Sequence, residues 1–188
     1  TRMIDANIIS KMISDKMIYQ DIHNNVVFVG YNEQNKAAFA CVRGTNTSKP
    51  FKGDCDGSDK KYAFSIEGTN KSKLYIFEAP IDLLSHATLI KNEKAWTVHS
   101  RLCLAGTSDV ALEQYLKTHP DIKELHFFLD NDAAGRSAAK KHCKKYSEKG
   151  FVTFNHCPKY NDVNEDLVAF ITHKPPPNTV PKHKGMKI

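Results

Sequence analysis

The sequence lacks any long hydrophobic run, since no stretch approaches the roughly 20 apolar residues that a membrane-spanning helix needs. We therefore expect no membrane segment. Its five cysteines include no CxxC pair, which argues against both a disulfide framework and a zinc site. A reducing, cytoplasmic setting is the expectation that follows. The nine histidines form no HxH or HExxH motif, so surface or core roles are favoured for them over metal ligation.

The composition is that of a globular chain. Its 188 residues are 40% apolar and 26% charged, and they suffice for one large or two small domains. The net charge of +6 favours a polyanionic partner if the basic residues cluster. Because the first residue is Thr1 and not methionine, we expect the chain to be part of a longer one.

The first part of the chain predicts a small α+β subdomain over residues 1–72. A long, strongly charged loop begins at Arg43, and the polar segment Glu67–Ser72 marks the predicted boundary. Loops of this length without structure of their own are usually functional or mobile. The elements predicted before the loop are a helix over Ile4–Tyr19 and a hairpin of Val26–Gly30 with Ala37–Val42.

From residue 73 the pattern alternates between short apolar strands and helices. This alternation predicts right-handed crossovers and a mostly parallel sheet of about four strands flanked by helices, in a domain over residues 73–172. The clearest helix is Ala133–Glu148, which Gly150 ends. The basic, proline-rich residues 173–188 are predicted to be a disordered tail.

Acidic residues follow three of the predicted strands. Glu78 ends the first, Asp130 and Asp132 end the third, and Asp162 follows the fourth. In a parallel sheet these positions gather at one carboxyl edge, where oxygen ligands without histidine or cysteine suit Mg²⁺ or Mn²⁺. A plainer alternative is that Asp132 and Asp162 are helix caps.

Two basic clusters lie close to these acids in the sequence. One belongs to the charged loop, and the other recurs every four residues along the third helix of the predicted sheet domain, so that its members share a face. Such residues can position nucleic-acid or nucleotide phosphates, although solvated charge is the alternative for both clusters. The candidates are Arg43, Lys52, Lys60, Lys61, Arg136, Lys140 and Lys144.

The segments YIFEAPIDLLS, LCLAGTS and FFLDNDAAGRSAA resemble, in order and predicted context, the TOPRIM domain of primases, topoisomerases and related nucleases. The matching residues are Glu78, Gly106, Asp130 and Asp132, and the AAGR that follows resembles the primase branch. The preceding hairpin and charged loop resemble the small domain found before TOPRIM in primase-like proteins of plasmids and conjugative elements.

This resemblance implies that Asp130 and Asp132 hold the metal, with Glu78 as general acid/base or further ligand. Asp162 corresponds to an acidic motif that assists metal binding in primases, and whether Asp162, Asn164 or Glu165 contributes stays open. The implied function is a metal-dependent nucleotidyltransferase acting on single-stranded DNA and nucleoside triphosphates, with a helicase or relaxase as a candidate partner. The alternatives are a metal-dependent nuclease and a non-catalytic DNA-binding module.

Overall fold

The computed structural model describes residues 2–46, 48, 51–91 and 95–175. Within them the chain forms two β-sheets and five α-helices. The predicted tail over 173–188 lies outside the described residues from position 176 onward. The helices are α1 Ala6–Ser14, α2 Pro80–Leu89, α3 Val110–Thr118, α4 Ala133–Glu148 and α5 Val163–Ile171. The strands are β1 Ile18–Gln20, β2 Val26–Tyr31, β3 Ala37–Arg43, β4 Lys52–Asp54, β5 Ser65–Ile66, β6 Asn70–Phe77, β7 His99–Cys103, β8 Glu124–Phe128 and β9 Val152–Asn155.

The first sheet is antiparallel throughout, in the order β1-β2-β3-β4. It confirms the predicted hairpin of β2 and β3. The single helix predicted over Ile4–Tyr19 is wrong: α1 ends at Ser14, Lys16 adopts a left-handed φ of 60°, and Ile18 then pairs with Phe28 as part of β1. Strand pairing with β2 therefore overrides a helical spacing of apolar residues.

The second sheet has the order β5-β7-β6-β8-β9, and all of its pairs are parallel except β5 with β7. The prediction of a mostly parallel sheet is confirmed, with a fifth, antiparallel strand added at one edge. The chain leaves β6 for β7 on one side, whereas β8 continues to β9 on the other. The carboxyl ends of β6 and β8 thus flank the crevice where ligands bind in open α/β sheets.

Hydrophobic clusters cover both faces of the second sheet. Alternation along β6 places Ile76 in one cluster, with α3 and α4, and Phe77 in the other, with α1 and α2. Each cluster also includes residues of the first sheet, Phe39 in one and Phe28 in the other. The two sheets therefore share a continuous core. No helix within the described ranges is both long and apolar enough to span a bilayer.

Candidate active site at the carboxyl edge of the second sheet

Glu78 directly follows β6 and holds three chain segments together. The backbone N–H of Asp130 donates to Glu78 Oε2 at 3.2 Å. The backbone N–H of Gly106 donates to the Glu78 carbonyl at 3.1 Å, from the turn that follows β7. The structure thus brings together, at one edge, the glutamate, the glycine and the first aspartate of the pattern recognised in the sequence.

Asp130 and Glu78 share an environment with an excess of negative charge. Burial is the main cause that raises the pKa of Asp130 to about 7, and the charges of Glu78, Asp162 and Asp132 add to it. Burial also raises the pKa of Glu78, with a further contribution from Asp132. Lys52 opposes both shifts but does not cancel them. A bound cation would stabilise the ionised form of carboxylates that are buried next to other negative charges.

Asp132 caps helix α4, as the plainer interpretation of the sequence has it. Its Oδ1 accepts a hydrogen bond from the backbone N–H of Gly135 at 2.7 Å. Arg136 closes the same turn, because its Nη1 donates to the Asn131 carbonyl at 2.6 Å and to Asn131 Oδ1 at 2.9 Å. A capping carboxylate still has acceptor sites left for a cation, since it offers about four lone pairs.

Helix α4 begins unusually close to the end of β8. A Cβ atom built on Gly135 would lie 2.2 Å from the Asp130 carbonyl oxygen and 2.9 Å from its carbonyl carbon. These contacts are with backbone, which cannot swing aside as a side chain can. Glycine at position 135 therefore lets the helix N-terminus sit against Asp130.

The third acidic segment lies at the start of α5. Asp162 caps this helix by accepting from the backbone N–H of Glu165 at 2.7 Å. Asp162 and Glu165 both line the cavity that contains Glu78 and Asp130. Asn164, the third residue left open by the sequence, is buried in a different environment.

Asn164 is the centre of a buried polar network. Its Nδ2 donates to Ser85 Oγ at 2.9 Å and to the Arg2 carbonyl at 2.8 Å, and its Oδ1 accepts from Arg2 Nη1 at 2.9 Å. Its backbone N–H donates to Asp82 Oδ1 at 3.1 Å. These bonds tie the amino-terminal segment to α2 and α5 directly beneath the cavity.

Asp82 is a site residue that the sequence interpretation missed. It lies on α2 and is only 5% exposed, yet it lines the same cavity as Glu78 and Asp130. Burial raises its pKa to about 8, and the charges of Asp162 and Asp130 add to the shift. A usable signal was present, because Asp82 stands between the apolar residues Ile81 and Leu83 on a helix whose other residues are almost all buried.

The cavity has a volume of about 570 Å³ and is lined by both acidic and basic side chains. Its basic members come from the amino-terminal segment and from β3 and β4. The acidic residues that line it are Asp54, Glu78, Asp82, Asp130, Asp162 and Glu165, and the basic ones are Arg2, Arg43 and Lys52. Such a lining can hold a divalent cation on one side and phosphate groups on the other.

The structure separates the seven predicted basic residues into distinct groups. Arg43 and Lys52 line the cavity. Lys60 instead pairs with Asp54 at 3.0 Å and donates to the Ala105 carbonyl at 2.9 Å, while Lys61 lies 3.9 Å from Asp59. On α4, Arg136 holds the Asp130–Asp132 turn. Lys140 and Lys144 are exposed on the same helix, and Lys144 lies 4.0 Å from Glu148.

The carboxylates fit Mg²⁺ or Mn²⁺ by their chemistry. They supply only oxygen donors, and burial, with a smaller contribution from neighbouring carboxylates, raises the pKa of both Asp130 and Glu78. Among the described residues, no three acidic, histidine or cysteine side chains converge closely enough to hold a metal ion as they stand. A bound cation would therefore draw Glu78, Asp130, Asp132 and Asp162 from the surrounding edge.

Asp82→Asn is expected to stabilise the protein in EDTA near neutral pH by at least about 1 kcal/mol. In the folded protein the pKa of Asp82 is about 8, above the ordinary value of 3.8. The wild type therefore loses stability as the pH rises from about 4 to 8, because unfolding releases the Asp82 proton in this range. Asparagine removes this loss and keeps an oxygen for the Asn164 N–H. Denaturant unfolding from pH 4 to pH 8 measures the difference, with exposed Asp15→Asn as control. Parallel curves for the wild type and Asp82→Asn would contradict the expectation.

Two families match adjoining parts of the chain. Residues 1–71 match the family described as "Protein of unknown function (DUF3991)", and residues 75–167 match the family described as "Toprim-like". A Bacillus anthracis protein with the name "Uncharacterized protein pXO2-78" is 27% identical in an alignment of 151 residues, and the match covers 74% of this chain and 43% of that protein. The chain therefore spans less than half the length of this relative.

Solved primase structures share the fold. The primase fragment of the bacteriophage T7 primase-helicase protein superposes with a TM-score of 0.56 at 13% identity, over 83% of this chain and 61% of that one. A second T7 structure contains primase domains bound to an RNA/DNA hybrid and dTTP together with the phage's lagging-strand DNA polymerase. It matches with a TM-score of 0.58 at 16% identity, over 92% of this chain and 83% of that chain.

Proposed function

Since residues 75–167 belong to the Toprim-like family and follow a DUF3991 domain, we propose that the chain is a metal-dependent nucleotidyltransferase of the DNA primase type that acts on single-stranded DNA. One observation carries this proposal. The carboxylate of Glu78 is bonded to the backbone of Asp130 at the crevice between β6 and β8, within an acidic cavity that also presents Arg43 and Lys52.

The acidic residues have two roles, metal binding and proton transfer. Asp130, Asp132 and Asp162, with Glu78, would hold Mg²⁺ or Mn²⁺, which supplies charge neutralisation and Lewis acidity to phosphoryl transfer. Glu78 accepts the proton of the attacking 3′-hydroxyl, whose oxygen bonds to the α-phosphorus of the incoming nucleotide while the bond from that phosphorus to pyrophosphate breaks and pyrophosphate leaves. Burial suits Glu78 to this role by raising its pKa, which makes the carboxylate a stronger proton acceptor.

Basic side chains position the phosphates. Arg43 and Lys52 line the same cavity as the carboxylates, and they bind the triphosphate of the incoming nucleotide. Lys140 and Lys144 follow Arg136 along the exposed face of α4, so they contact the backbone of the DNA strand that approaches Asp130. Lys60 and Lys61 contribute less, because both lie near aspartates of their own loop.

The cellular setting is part of the same proposal. We propose a plasmid or mobile element as the source, because the relative is named pXO2-78. We propose a helicase as the partner, because the T7 protein is a primase-helicase, with a relaxase as the alternative in conjugation. The cytoplasm is the proposed location, because Cys41, Cys55, Cys103, Cys143 and Cys157 are all free thiols.

The test is incorporation of labelled nucleotides on a single-stranded DNA template. We expect incorporation with Mg²⁺ or Mn²⁺, its loss in EDTA, and its loss in the double variant Asp130→Asn with Asp132→Asn. The control Asp15→Asn with Glu148→Asn makes the same change of net charge at exposed positions away from the cavity. Incorporation that survives the double variant would refute the mechanism. Template cleavage without nucleotides would indicate a nuclease, and EDTA-insensitive binding without turnover a binding module.

A further inference from the structure

Four aromatic and imidazole rings lie nearly parallel on the face of strands β8 and β9. The ring of His126 lies 4.6 Å from that of Phe154 with an angle of 14° between the planes, and the ring of His156 lies 4.4 Å from that of Phe128 with an angle of 10°. His126 Nδ1 and His156 Nε2 are 3.0 Å apart, so the two imidazoles join the stacked pairs edge to edge. We call these four residues the ring platform.

The ring platform is open to solvent on its outer side. Phe154 is 40% exposed, and Val152 beside it on the same face of β9 is 54% exposed. His86 of α2 contacts the ring of Phe128 at 4.8 Å, so this helix covers the side towards β6 and leaves the β9 side open. An exposed phenylalanine at the end of a set of parallel rings offers its flat face to a further ring.

The ring platform faces the same way as the acidic residues. Along β8, Leu125, Phe127 and Leu129 are fully buried, whereas Glu124, His126, Phe128 and Asp130 are only partly buried. Because strand residues two apart share a face, the half-open face that carries the rings continues into Asp130. Asp130 lies two residues beyond Phe128, the last residue of β8. Two residues of extended chain span about 7 Å, which is close to the length of two stacked nucleotides.

A second connection runs through the segment after β9. Asn131 Nδ2 donates to the Pro158 carbonyl at 3.0 Å, and the Asn131 backbone N–H donates to the Asn161 carbonyl at 2.7 Å. This segment leads from His156 to Asp162 and so joins the ring platform to the cavity. Lys159 is exposed on it and forms no ion pair with the described part of the chain.

We propose that the ring platform binds the bases of a single-stranded nucleic acid, stacked on Phe154 and its neighbours, where the strand runs along β8 and β9 to the carboxylate edge. Stacking suits any base, since each has a π-face, and Lys159 is placed to contact the backbone. A nucleic acid suits this face because the exposed ring of Phe154 continues a set of stacked rings, and the exposed Lys159 lies on the segment that leads from these rings to the carboxylate edge. The direction in which the nucleic acid runs, towards the carboxylates, rests on the proposed function. The binding of its bases to the ring platform does not.

The test measures binding of two fluorescent dodecamers in EDTA, one of thymidine and one of abasic deoxyribose phosphate, by fluorescence anisotropy with the full chain. Phe154→Ala is expected to weaken thymidine binding roughly 5- to 150-fold, the range for loss of one stacked base, and to leave abasic binding unchanged. Phe154→Tyr keeps the ring and should restore affinity. Val152→Ala is the matched control on the same face and should bind as the wild type does.

Several outcomes would overturn the proposal. Unchanged thymidine binding in Phe154→Ala would assign the face to protein docking, and equal losses for both dodecamers, or in Val152→Ala, would show a general disturbance of β9. A failure of the proposed function can be distinguished from a failure of the stacking proposal. The double variant Asp130→Asn with Asp132→Asn should retain the preference for thymidine over abasic dodecamer, whether or not the wild type incorporates nucleotides.

Discussion

Glu78→Gln is expected to lower nucleotide incorporation by roughly a hundred- to ten-thousand-fold, the range for loss of a general acid/base. The amide oxygen of glutamine can still accept from the Asp130 N–H, so the turn keeps its geometry. The variant should unfold at the same temperature as the wild type or higher, because burial disfavours the charged form of Glu78. Single-turnover incorporation and thermal unfolding measure the two effects.

The control for this variant is Glu148→Gln, which makes the same chemical change at the exposed end of α4. Its side chain is 64% exposed and lies 4.0 Å from Lys144. We expect full activity and stability within about 0.5 kcal/mol of the wild type. Glu78→Gln with near-normal incorporation would remove Glu78 from the mechanism, and a large loss of stability would mean that its charge serves the fold.

Gly135→Ala is expected to destabilise the protein by roughly 3 kcal/mol and to abolish incorporation. The added methyl group would lie 2.2 Å from the Asp130 carbonyl oxygen, so α4 and the end of β8 must separate. That movement breaks the bond from the Gly135 N–H to Asp132 and shifts both aspartates. At this chain length the loss corresponds to a decrease of roughly 6 to 12 °C in Tm, which calorimetry measures.

Ser137→Ala is the control for Gly135→Ala, because position 137 lies two residues further along the same helix and is exposed. A favourable helix residue replaces serine there, so we expect stability equal to the wild type or slightly greater. If Gly135→Ala keeps both its Tm and its activity, the close approach of α4 to Asp130 is not needed for the arrangement of the acids.

The sequence predicted best those elements that local chemistry alone determines. Helix α4 is predicted to its exact ends, since Asp132 supplies a cap and Gly150 a stop. The strands that precede the acids are predicted in place because they are short apolar runs. The elements missed, β1 and β4, are three residues each and exist only because β2 and β3 offer them hydrogen bonds. Such pairing leaves no periodic signal.

In the candidate site, too, the sequence predicts what local pattern and topology determine and misses what tertiary packing determines. The sequence predicts that Glu78 and Asp130 lie at one edge, since topology alone determines this. It leaves open whether Asp132 and Asp162 cap helices or bind metal. The structure shows that both are caps, and each carboxylate still has acceptor sites left for a cation. An acid between Ile81 and Leu83 on an apolar helix marks Asp82 as unusual, but its place in the site depends on how α5 packs on α2, where the Asn164 N–H donates to it. The pairing of Lys60 with Asp54 depends likewise on a strand that the sequence did not predict.

The network through Asn164 makes the amino-terminal segment part of the scaffold beneath the acids. A chimera that joined the Toprim-like domain to a foreign leading domain would leave the Asn164 amide without Arg2, which both donates to it and accepts from it. Asn164 Oδ1 would then lose its hydrogen bond, at a cost of about 1 to 3 kcal/mol, while Nδ2 would keep only its bond to Ser85 Oγ. Exchange of the leading domain is thus constrained by Arg2, which lies outside the domain that carries the acids.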